Sequence, residues 1–485
     1  PVEHFTKIGR LKDVSAFRER LEVLGLELPV DSDILSTDTD SPLADTIEVG
    51  GFRVGNRWCI HPMEGWDANR DGSPTPNTLR RWRNFGKSGA KLIWGGEAAA
   101  VQPDGRANPN QTLATAENAK GIKELLVALE TEHVSRFGSK DDLLVGLQLT
   151  HSGRFCRPND KVRLEPRIAY HHPLLDRKFG VDSEDNEIVW TDDELHRLID
   201  SYVAAAALAQ EAGFRFVDVK ACHGYLLHEF LSARCRKGEF GGDFAGRTRL
   251  LKTIIERIVE KCPDLLIGVR LSVFDTAPFQ TSQEIGLPMD FSGHLPYEFG
   301  FGVDSDAPLQ MNLEEPLLLL EQLQELGVAM VNLSCGSPYY NPHLQRPAIF
   351  PPSDGYQPPE DPLVGVVRQI HAAKVCKERL PDLPMVGTGY TYLQEYLPHV
   401  AQAVVRKGWI DFVGLGRMVL SYPELPTDVM EGRPVRRRRV CRTFSDCTTA
   451  PRNGIVSGCF PLDDHYKHSP DAAKLKEYKQ KKRRP

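Results

Sequence analysis

The sequence predicts an α/β fold, a (β/α)8 TIM barrel, from three observations. Eight short apolar runs recur along the chain, and helical patterns follow most of them. The runs show little alternation of apolar and polar residues, which is typical of strands buried on both faces of a parallel sheet. No Gly-x-Gly-x-x-Gly sequence follows the first run, which counts against the alternative architecture, a doubly wound dinucleotide-binding sheet.

The apolar runs predict the strands, and the amphipathic stretches predict the helices. The predicted strands are Trp58–Met63, Lys91–Trp94, Leu143–Leu149, Phe214–Val219, Leu265–Leu271, Val328–Leu333, Pro384–Val386 and Asp411–Leu415. The predicted helices are Asp192–Ala212, Gly246–Val259, Glu314–Glu325, Leu363–Lys377 and Leu393–Lys407. Thr191 precedes an acidic first turn and is expected to cap the first of these helices.

Several regions exceed what a barrel needs. Residues 1–50 are expected to form an N-terminal extension with a flexible stretch at 31–45, before a barrel at 51–430. Residues 273–312 and 335–361 predict long loops after strands five and six, and loops of this kind commonly shape a substrate site. Residues 431–485 predict a C-terminal extension that packs on the barrel and ends in a basic tail.

The composition is that of a globular enzyme. Of 485 residues, 41% are hydrophobic, and no apolar run reaches the length that spans a membrane. The first residues lack the apolar core of a secretory signal, so a cytoplasmic enzyme is expected. The net charge of −6 gives no support for nucleic-acid binding, although Arg436–Arg439 and Lys479–Arg484 are basic runs. A small-molecule substrate is expected, and a homo-oligomer is left open.

Polar residues gather where the predicted strands end. They are His61, Met63, Glu64 and Trp66 after strand one, Glu97 and Ala98 after strand two, Gln148, His151 and Arg154 at strand three, Lys220, His223 and Tyr225 at strand four, and Arg270 in strand five. The carboxyl ends of barrel strands meet at one face, which is where barrel enzymes carry their active sites. We therefore expect these side chains to share one rim.

Small residues follow the last two strands. Gly387-Thr388-Gly389 comes after strand seven, and Gly416-Arg417 comes after strand eight. Turns of small residues let backbone N–H groups approach a phosphate, and an arginine adds a charge-assisted contact. This pattern favours a cofactor that carries a phosphate.

The motifs taken together resemble the Old Yellow Enzyme family of FMN-dependent oxidoreductases over residues 45–430. The matching segments are HPMEGWD, GGEAAAVQPDGR, GLQLTHSGRF, VDVKACHGYLLHEFLS, FGGDFAGRTR, VRLS, MVGTGY and GLGRMVL. Within the family, the chain is most similar to the branch of dienoyl-CoA reductase and trimethylamine dehydrogenase. The flavodoxin-like nucleotide-binding domains of that branch are expected to be absent, so electrons are expected directly from NAD(P)H or from a separate donor.

The resemblance implies FMN across the barrel mouth and assigns its contacts. Pro62, Met63 and Glu64 would lie beside the flavin ring, with Ala98 near its pyrimidine end. Gln148 and Arg270 would contact the pyrimidine edge. The phosphate would be bound by Gly387, Thr388, Gly389, Gly416 and Arg417.

The resemblance also implies a catalytic group at strand four. Lys220 and His223 would bind the oxygen of an activated substrate, and Tyr225 would protonate the carbon next to the carbonyl. The implied reaction is the reduction of an activated C=C bond with hydride from NAD(P)H. The alternatives are an oxidative, amine-dehydrogenase-like enzyme, and more remotely a metal-dependent hydrolase using His61, His151 and His223.

Three features depart from the family pattern. Lys220 stands where a histidine is usual, and it either contacts substrate or pairs with an acid such as Glu64. Glu64 stands where many relatives carry Cys or Thr. The region around Cys441, Cys447 and Cys459 resembles the iron–sulfur segment of larger members but has Phe444 where a fourth cysteine would fall, so an intact cluster is not expected. No other metal is expected, and the remaining cysteines are expected to be reduced thiols.

Overall fold

Eight parallel strands form a closed barrel in the computed structural model, which describes residues 5–482. In chain order the strands are β1 (Trp58–Ile60), β2 (Leu92–Ile93), β3 (Leu144–Thr150), β4 (Phe216–Ala221), β5 (Leu266–Ser272), β6 (Met330–Ser334), β7 (Met385–Gly387) and β8 (Phe412–Leu415). Each strand pairs with its sequence neighbour, and β8 closes the barrel by pairing with β1. All eight strand predictions and the barrel are thereby confirmed.

Helices follow the strands on the outside of the barrel. They are Pro76–Gly86, Ala119–Phe137, Asp192–Ala212, Phe244–Lys261, Glu314–Glu325, Pro362–Arg379, Leu397–Arg406 and, after β8, the short pair Arg417–Ser421 and Leu425–Met430. Thr191 caps its helix as predicted, because its side chain accepts from the Glu194 N–H while the Glu194 carboxylate accepts from the Thr191 N–H. The helix predicted from Leu393 begins only at Leu397, since a kinked 3₁₀ segment comes first.

The inward side chains of the strands change character along the barrel axis. Every second residue of a strand points into the barrel. At the amino end these are apolar side chains, such as Leu144, Phe216 and Met330, which pack in one cluster with Val49 and Val54. A two-stranded hairpin, Ile47–Val49 and Phe52–Val54, therefore covers the amino end. The polar inward residues lie toward the carboxyl end.

The N-terminal segment is held against the barrel. A helix at Val14–Val23 places Phe17 in the main core, with its ring stacked on Tyr396 at 4.7 Å. The stretch at 31–45, which was predicted to be flexible, is instead bonded to the Leu397–Arg406 helix through Asp31, the Asp33 carbonyl and the Leu35 N–H. Gln402 donates to Asp31 and accepts from the Leu35 N–H at 2.9 Å.

The two long loops contain short ordered elements. The loop after β5 carries a hairpin of Phe279–Thr281 and Gly286–Pro288, and the loop after β6 carries a short helix, Pro342–Gln345. Elements that were not predicted include the helices Pro76–Gly86, Ala119–Phe137, Pro173–Phe179 and Leu226–Leu231, and a strand, Ala98–Ala100, that pairs with β3.

The C-terminal region packs on the carboxyl-end face. Its helices are Asp446–Arg452, Asp464–Lys467 and Pro470–Lys482. Arg80 binds Asp463 through two hydrogen bonds of 2.8 and 2.9 Å, and the Ser457 N–H donates to the Gly65 carbonyl. This region therefore borders the mouth of the barrel.

The basic runs make local ion pairs. Arg436, Arg437 and Arg439 pair with Asp428, Glu395 and Glu424, respectively. In the tail, Lys479 pairs with Asp446, while Arg483 and Arg484 lie outside the described residues. None of the helices described between residues 5 and 482 combines the length and apolar character that crossing a membrane requires.

Candidate active site

A cavity of about 220 Å³ opens at the carboxyl ends of the strands. Twelve of the predicted site residues line it: Pro62, Met63, Glu64, Gln148, Lys220, His223, Tyr225, Arg270, Thr388, Gly389, Gly416 and Arg417. Ala98 and Gly387 are buried in neighbouring strands and are not among the lining residues. Because these predicted residues come from six widely separated segments and line one cavity, strand-end position was the informative signal.

One end of the cavity is built to hold an anion. Thr388, Gly389 and Gly416 line it together with two arginines, Arg417 and Arg346. Arg417 Nη1 and Arg346 Nε and Nη2 are buried, and among residues 5–482 they have no hydrogen-bond partner. Burial and the neighbouring Arg417 lower the pKa of Arg346 to about 10. Two half-buried guanidinium groups whose buried nitrogens have no partner among the described residues favour a phosphate between them.

Arg346 was missed by the sequence analysis. It follows the short helix Pro342–Gln345 in the loop after β6, where nothing local marks it as a ligand. Its Nη1 donates to Thr448 of the C-terminal region. The tertiary fold therefore brings Arg346 to the end of the cavity that Arg417 lines.

The middle of the barrel carries a polar layer around Asp218. Asp218 lies one inward position before Lys220 on β4 and directly beside Gln148 of β3 in the sheet register. Its carboxylate accepts from Gln148 Nε2 at 2.5 Å and from the Arg270 N–H at 2.6 Å. Burial raises the pKa of Asp218 to about 6. Because Gln148 Nε2 donates to this carboxylate, the amide group of Gln148 is fixed and its amide oxygen remains available to accept a hydrogen bond.

His61 supplies a further donor to the same cavity. Its Nδ1 accepts from Asn332 Nδ2 at 3.0 Å, so Nε2 carries the proton. Burial, and secondly Arg270, hold the pKa of His61 well below its usual value, which keeps the ring neutral. Within the described part of the chain, Nε2 is buried and has no partner.

The opposite end of the cavity contains Lys220 and its partners. Lys220 Nζ lies 3.3 Å from Glu64 Oε1 and 4.0 Å from the centroid of the Tyr225 ring. Glu64 also accepts from Trp66 Nε1 at 2.7 Å. Lys220 therefore pairs with Glu64, which was one of the two expectations, but it also lines the cavity.

His223 is fixed by its backbone and its neighbours. The residue has a left-handed conformation, φ 66°, and its N–H donates to Ser272 Oγ at 3.0 Å. Its Nε2 lies 2.7 Å from Ser334 Oγ and 3.3 Å from Gln345 Nε2. Burial and two nearby cations hold the pKa of His223 well below its usual value. The ring is therefore neutral and oriented.

Tyr225 is a buried, protonated phenol. Its hydroxyl lies 3.1 Å from the hydroxyl of Tyr339, and only 6% of the residue is exposed. Burial, followed by the neighbouring Tyr339 and Glu64, raises the pKa of Tyr225 well above its usual value. Tyr225 therefore keeps its proton at neutral pH and can donate it.

The cysteines and histidines do not form a metal centre in the described structure. Cys447 lines the cavity, whereas Cys441 and Cys459 are buried behind it. Within residues 5–482, no set of three or more His, Cys, Asp or Glu side chains is arranged to hold a metal ion. His151 lies outside the cavity, so the histidines of the hydrolase alternative are not all at one site.

His151 gives a test of how burial affects stability. Burial, then Arg167, lowers the pKa of His151 to about 3. In the unfolded chain His151 gains a proton near pH 6.5, whereas in the folded chain it stays neutral at that pH. The contribution of His151 to the free energy of unfolding is therefore complete above that pH and is lost as the pH falls. By this linkage, His151 should reduce the free energy of unfolding by about 2 kcal/mol between pH 8 and pH 5. Urea unfolding at both pH values measures this change in the free energy of unfolding. The change should be smaller by about 2 kcal/mol in His151→Gln than in wild type. An equal change in the two proteins would contradict the role assigned to His151.

The fold and cavity define a class: a barrel protein whose cavity carries small residues and two arginines at the ends of β7 and β8 and Lys220, His223 and Tyr225 at the end of β4. Residues 42–287, about half of the chain, match the model of one family. The chain belongs to the NADH:flavin oxidoreductase / NADH oxidase family, oxidoreductases whose cofactor is FMN. The predicted family and cofactor are thereby confirmed.

Two curated enzymes that are similar in sequence support this membership. The chain is 25% identical over 428 residues to an NADH oxidase from Thermoanaerobacter brockii, an alignment that covers 84% of this chain and 56% of that enzyme. It is 29% identical over 235 residues to an NADPH dehydrogenase from Bacillus subtilis, covering 47% of this chain and 63% of that enzyme. The chain thus spans little more than half the length of these curated relatives.

Solved structures share the fold. A 2-naphthoyl-CoA reductase superimposes with a TM-score of 0.63 at 18% identity, covering 88% of this chain and 57% of that one. A histamine dehydrogenase from Rhizobium sp. 4-9 superimposes with a TM-score of 0.61 at 21% identity, covering 86% and 52%. At these identities the likeness shows the fold alone, so the reaction must be argued from the site.

The residues present fit FMN. The unpartnered guanidinium nitrogens of Arg346 and Arg417 suit its phosphate, and Gly416 leaves open space, because a Cβ there would come only within 3.6 Å of Met63 Sδ. Among the described residues, the buried Arg270 Nε also has no partner, and Arg270 stands beside Lys220 in the sheet register. These unpaired donors match an anionic cofactor with a polar ring edge.

Proposed function

We propose that the chain is an FMN-dependent oxidoreductase that uses NAD(P)H to reduce the C=C bond of an α,β-unsaturated carbonyl compound. The observation that carries this proposal is the group at the end of β4. A cation, a neutral imidazole and a protonated phenol line one side of the cavity at Lys220, His223 and Tyr225. Reduction of such a bond needs donors for the oxygen and a proton for carbon, and this group supplies both.

The other cavity residues are proposed to hold the cofactor. Arg346 and Arg417, with the backbone at Gly389 and Gly416, would bind the phosphate, and Gln148 and Arg270 the polar edge of the ring. FMN, when bound, supplies hydride to the β-carbon of the substrate. The positive charge of Arg270 would stabilise negative charge that collects on the reduced ring.

Lys220 and His223 are proposed to bind the substrate oxygen. Negative charge builds up on this oxygen as hydride is added to the β-carbon. The Lys220 ammonium has further N–H donors beyond its contact with Glu64 at 3.3 Å. Donors fixed before the reaction lower its barrier because they need not reorganise as the charge develops.

The charge of the cavity argues against an amine substrate. Glu64 is the one carboxylate among the residues that line the described cavity, and it already binds Lys220 and Trp66. Of the cations that line this cavity, Arg346 and Arg417 are assigned to the cofactor phosphate and Arg270 to its ring, which leaves Lys220 beside the substrate. An ammonium substrate would add to this positive charge, whereas an enolate would be stabilised by it. Reduction is therefore favoured over C–N oxidation.

An anaerobic stopped-flow experiment tests the proposal. The purified flavoprotein should lose its visible flavin absorption with NADH or NADPH and regain it with enones or enoates. Bleaching by amines, with no recovery on adding enones, would indicate the amine-oxidising alternative. Bleaching by a separate protein donor but by neither nicotinamide would change the proposed reductant.

The proposed role of Arg346 can be measured by cofactor binding. Arg346→Met should weaken FMN binding by roughly 10- to 100-fold, because a charge-assisted contact to phosphate is lost. Riboflavin lacks the phosphate, so its binding to the apoprotein should change little. Fluorescence titration of apoprotein with both ligands measures this, with Arg417→Met as the matched variant. Equal weakening of FMN and riboflavin would show that Arg346 does not contact the phosphate.

A further inference from the structure

Two side chains remote in sequence lie behind the proposed proton donor. Tyr339, in the loop after β6, places its hydroxyl 3.1 Å from that of Tyr225. Arg452, at the end of the helix Asp446–Arg452, places its guanidinium carbon 3.9 Å from the centroid of the Tyr339 ring. Neither Tyr339 nor Arg452 lines the cavity. Any role in the chemistry must therefore pass through Tyr225.

We propose that Tyr339 passes its proton to Tyr225 in the same step in which Tyr225 protonates the substrate, and that Arg452 stabilises the negative charge shared by the two phenols during this transfer. This inference rests on the proposed function, because it concerns the step in which Tyr225 protonates the substrate. Tyr339 is here a proton-relay residue and Arg452 a positioning residue.

The geometry of Tyr339 is fixed on both faces. One face stacks on Phe155, with centroids 3.8 Å apart and planes at 7°, and Arg452 lies against the ring. Its position relative to Tyr225 is edge-on, at 75°. Side chains held in this way keep the two hydroxyls adjacent, which a proton transfer between them requires.

Arg452 is buried and only partly engaged. Its side chain is 7% exposed, and it pairs with Asp354 at 3.1 Å. Among the described residues, its Nη1 has no hydrogen-bond partner. The helix that carries it is held to the loop after β6, since the Ser353 N–H donates to Thr449 Oγ1 and Asn453 donates to Ser353 Oγ. A buried guanidinium with spare donors is suited to a transient negative charge.

Of the groups near the Tyr225 phenol, Arg452 is one that favours loss of its proton. Glu64 and Tyr339 raise the pKa of Tyr225 in addition to burial, whereas Arg452 lowers it. Lys220 lies 4.0 Å from the ring centroid of Tyr225, and Arg157 lies 5.9 Å from that of Tyr339. Since burial disfavours the phenolate strongly, a cation beside the pair reduces the cost of proton loss.

The proton step balances without another reactant. The Tyr225 O–H bond breaks as its proton forms the new C–H bond at the α-carbon, and the electron pair stays on the Tyr225 oxygen. In the same step the Tyr339 O–H bond breaks as its proton bonds to that oxygen, and Tyr339 afterwards regains a proton from solvent. Arg452 remains protonated throughout, and the relay itself involves no oxidation or reduction.

The test follows the recovery of flavin absorption when prereduced enzyme reacts with an enone. Tyr339→Phe and Arg452→Met should each slow this half-reaction by roughly tenfold, as expected for loss of part of a general-acid system. Arg452→Lys, which keeps the charge, should restore most of the rate. Reduction by NAD(P)H in the same variants should be unchanged.

Two readouts separate the relay from a structural role. Rates in mixtures of H₂O and D₂O should show two protons in wild type and one in Tyr339→Phe. In a Tyr225→Phe background, Arg452→Met should have no further effect on reoxidation, because the two residues act in one step. Additive effects, an unchanged isotope dependence, or no recovery in Arg452→Lys would overturn the relay. Failure of wild type itself to reduce any enone would instead refute the proposed function.

Discussion

Tyr225→Phe should slow the reoxidation of reduced enzyme by enones roughly 100-fold or more while leaving reduction by NAD(P)H unchanged. The removed hydroxyl is the buried phenol of the catalytic group, and positioned general acids typically contribute about 100- to 10,000-fold. Burial raises the pKa of Tyr225 well above its usual value, so wild type should keep its proton donor between pH 6 and pH 9. The rate of reoxidation should therefore be nearly independent of pH over this range.

The phenylalanine variant is a close structural match. It retains the ring that packs with Phe155 and lies under Lys220 and loses only the hydroxyl that contacts Tyr339. Tyr339→Phe is the matched control, because it removes the other hydroxyl of the pair and should have the smaller effect. If Tyr225→Phe reoxidises as fast as wild type, the proton comes from elsewhere and the assigned role of Tyr225 is wrong.

Lys220→Met should slow reoxidation by enones and enoates roughly 100-fold, an effect typical of removing one donor that stabilises a developing oxyanion. The loss should appear mainly in the limiting rate, since the interaction strengthens as charge develops on oxygen. Rates of flavin reoxidation over a range of substrate concentration separate this limiting rate from the substrate affinity.

Glu64 complicates this substitution and supplies its control. Replacing Lys220 alone leaves the Glu64 carboxylate, 3.3 Å away, with Trp66 Nε1 as its remaining hydrogen-bond donor among the described residues. Lys220→Met with Glu64→Gln removes both charges and should remain as slow as Lys220→Met. Glu64→Gln alone should retain most of the rate. Recovery in the double variant would mean that Lys220 serves only to neutralise Glu64.

The barrel could be predicted because the residue pattern within each strand indicates the strand and the cavity end of it, without reference to distant residues. Phe216, Asp218 and Lys220 are successive inward residues of β4, and they pass from the apolar end of the barrel through its polar layer to the cavity. The position of Lys220 beside the cavity follows from that order. The pairing of Lys220 with Glu64 was left open because it depends on how the segment after β1 turns.

Residues in loops could not be predicted in the same way. Arg346, Tyr339 and Arg452 reach the site only because the loop after β6 and the C-terminal region fold onto the barrel mouth. Residues 31–45 were expected to be flexible for the same reason, since Asp31 has its partners, Gln402 and Arg406, more than 350 positions away in the chain. The composition of residues 31–45 does not indicate partners so distant in the chain.

Isotope labelling of the product tests the central claim most directly. The reaction of an enone with NAD(P)H carrying deuterium at the transferred position should place deuterium at the β-carbon of the product. The same reaction in D₂O should place deuterium at the α-carbon, and Tyr225→Phe should slow formation of this product roughly 100-fold. Absence of label from the β-carbon under anaerobic turnover would contradict flavin-mediated hydride transfer, and with it the proposed function.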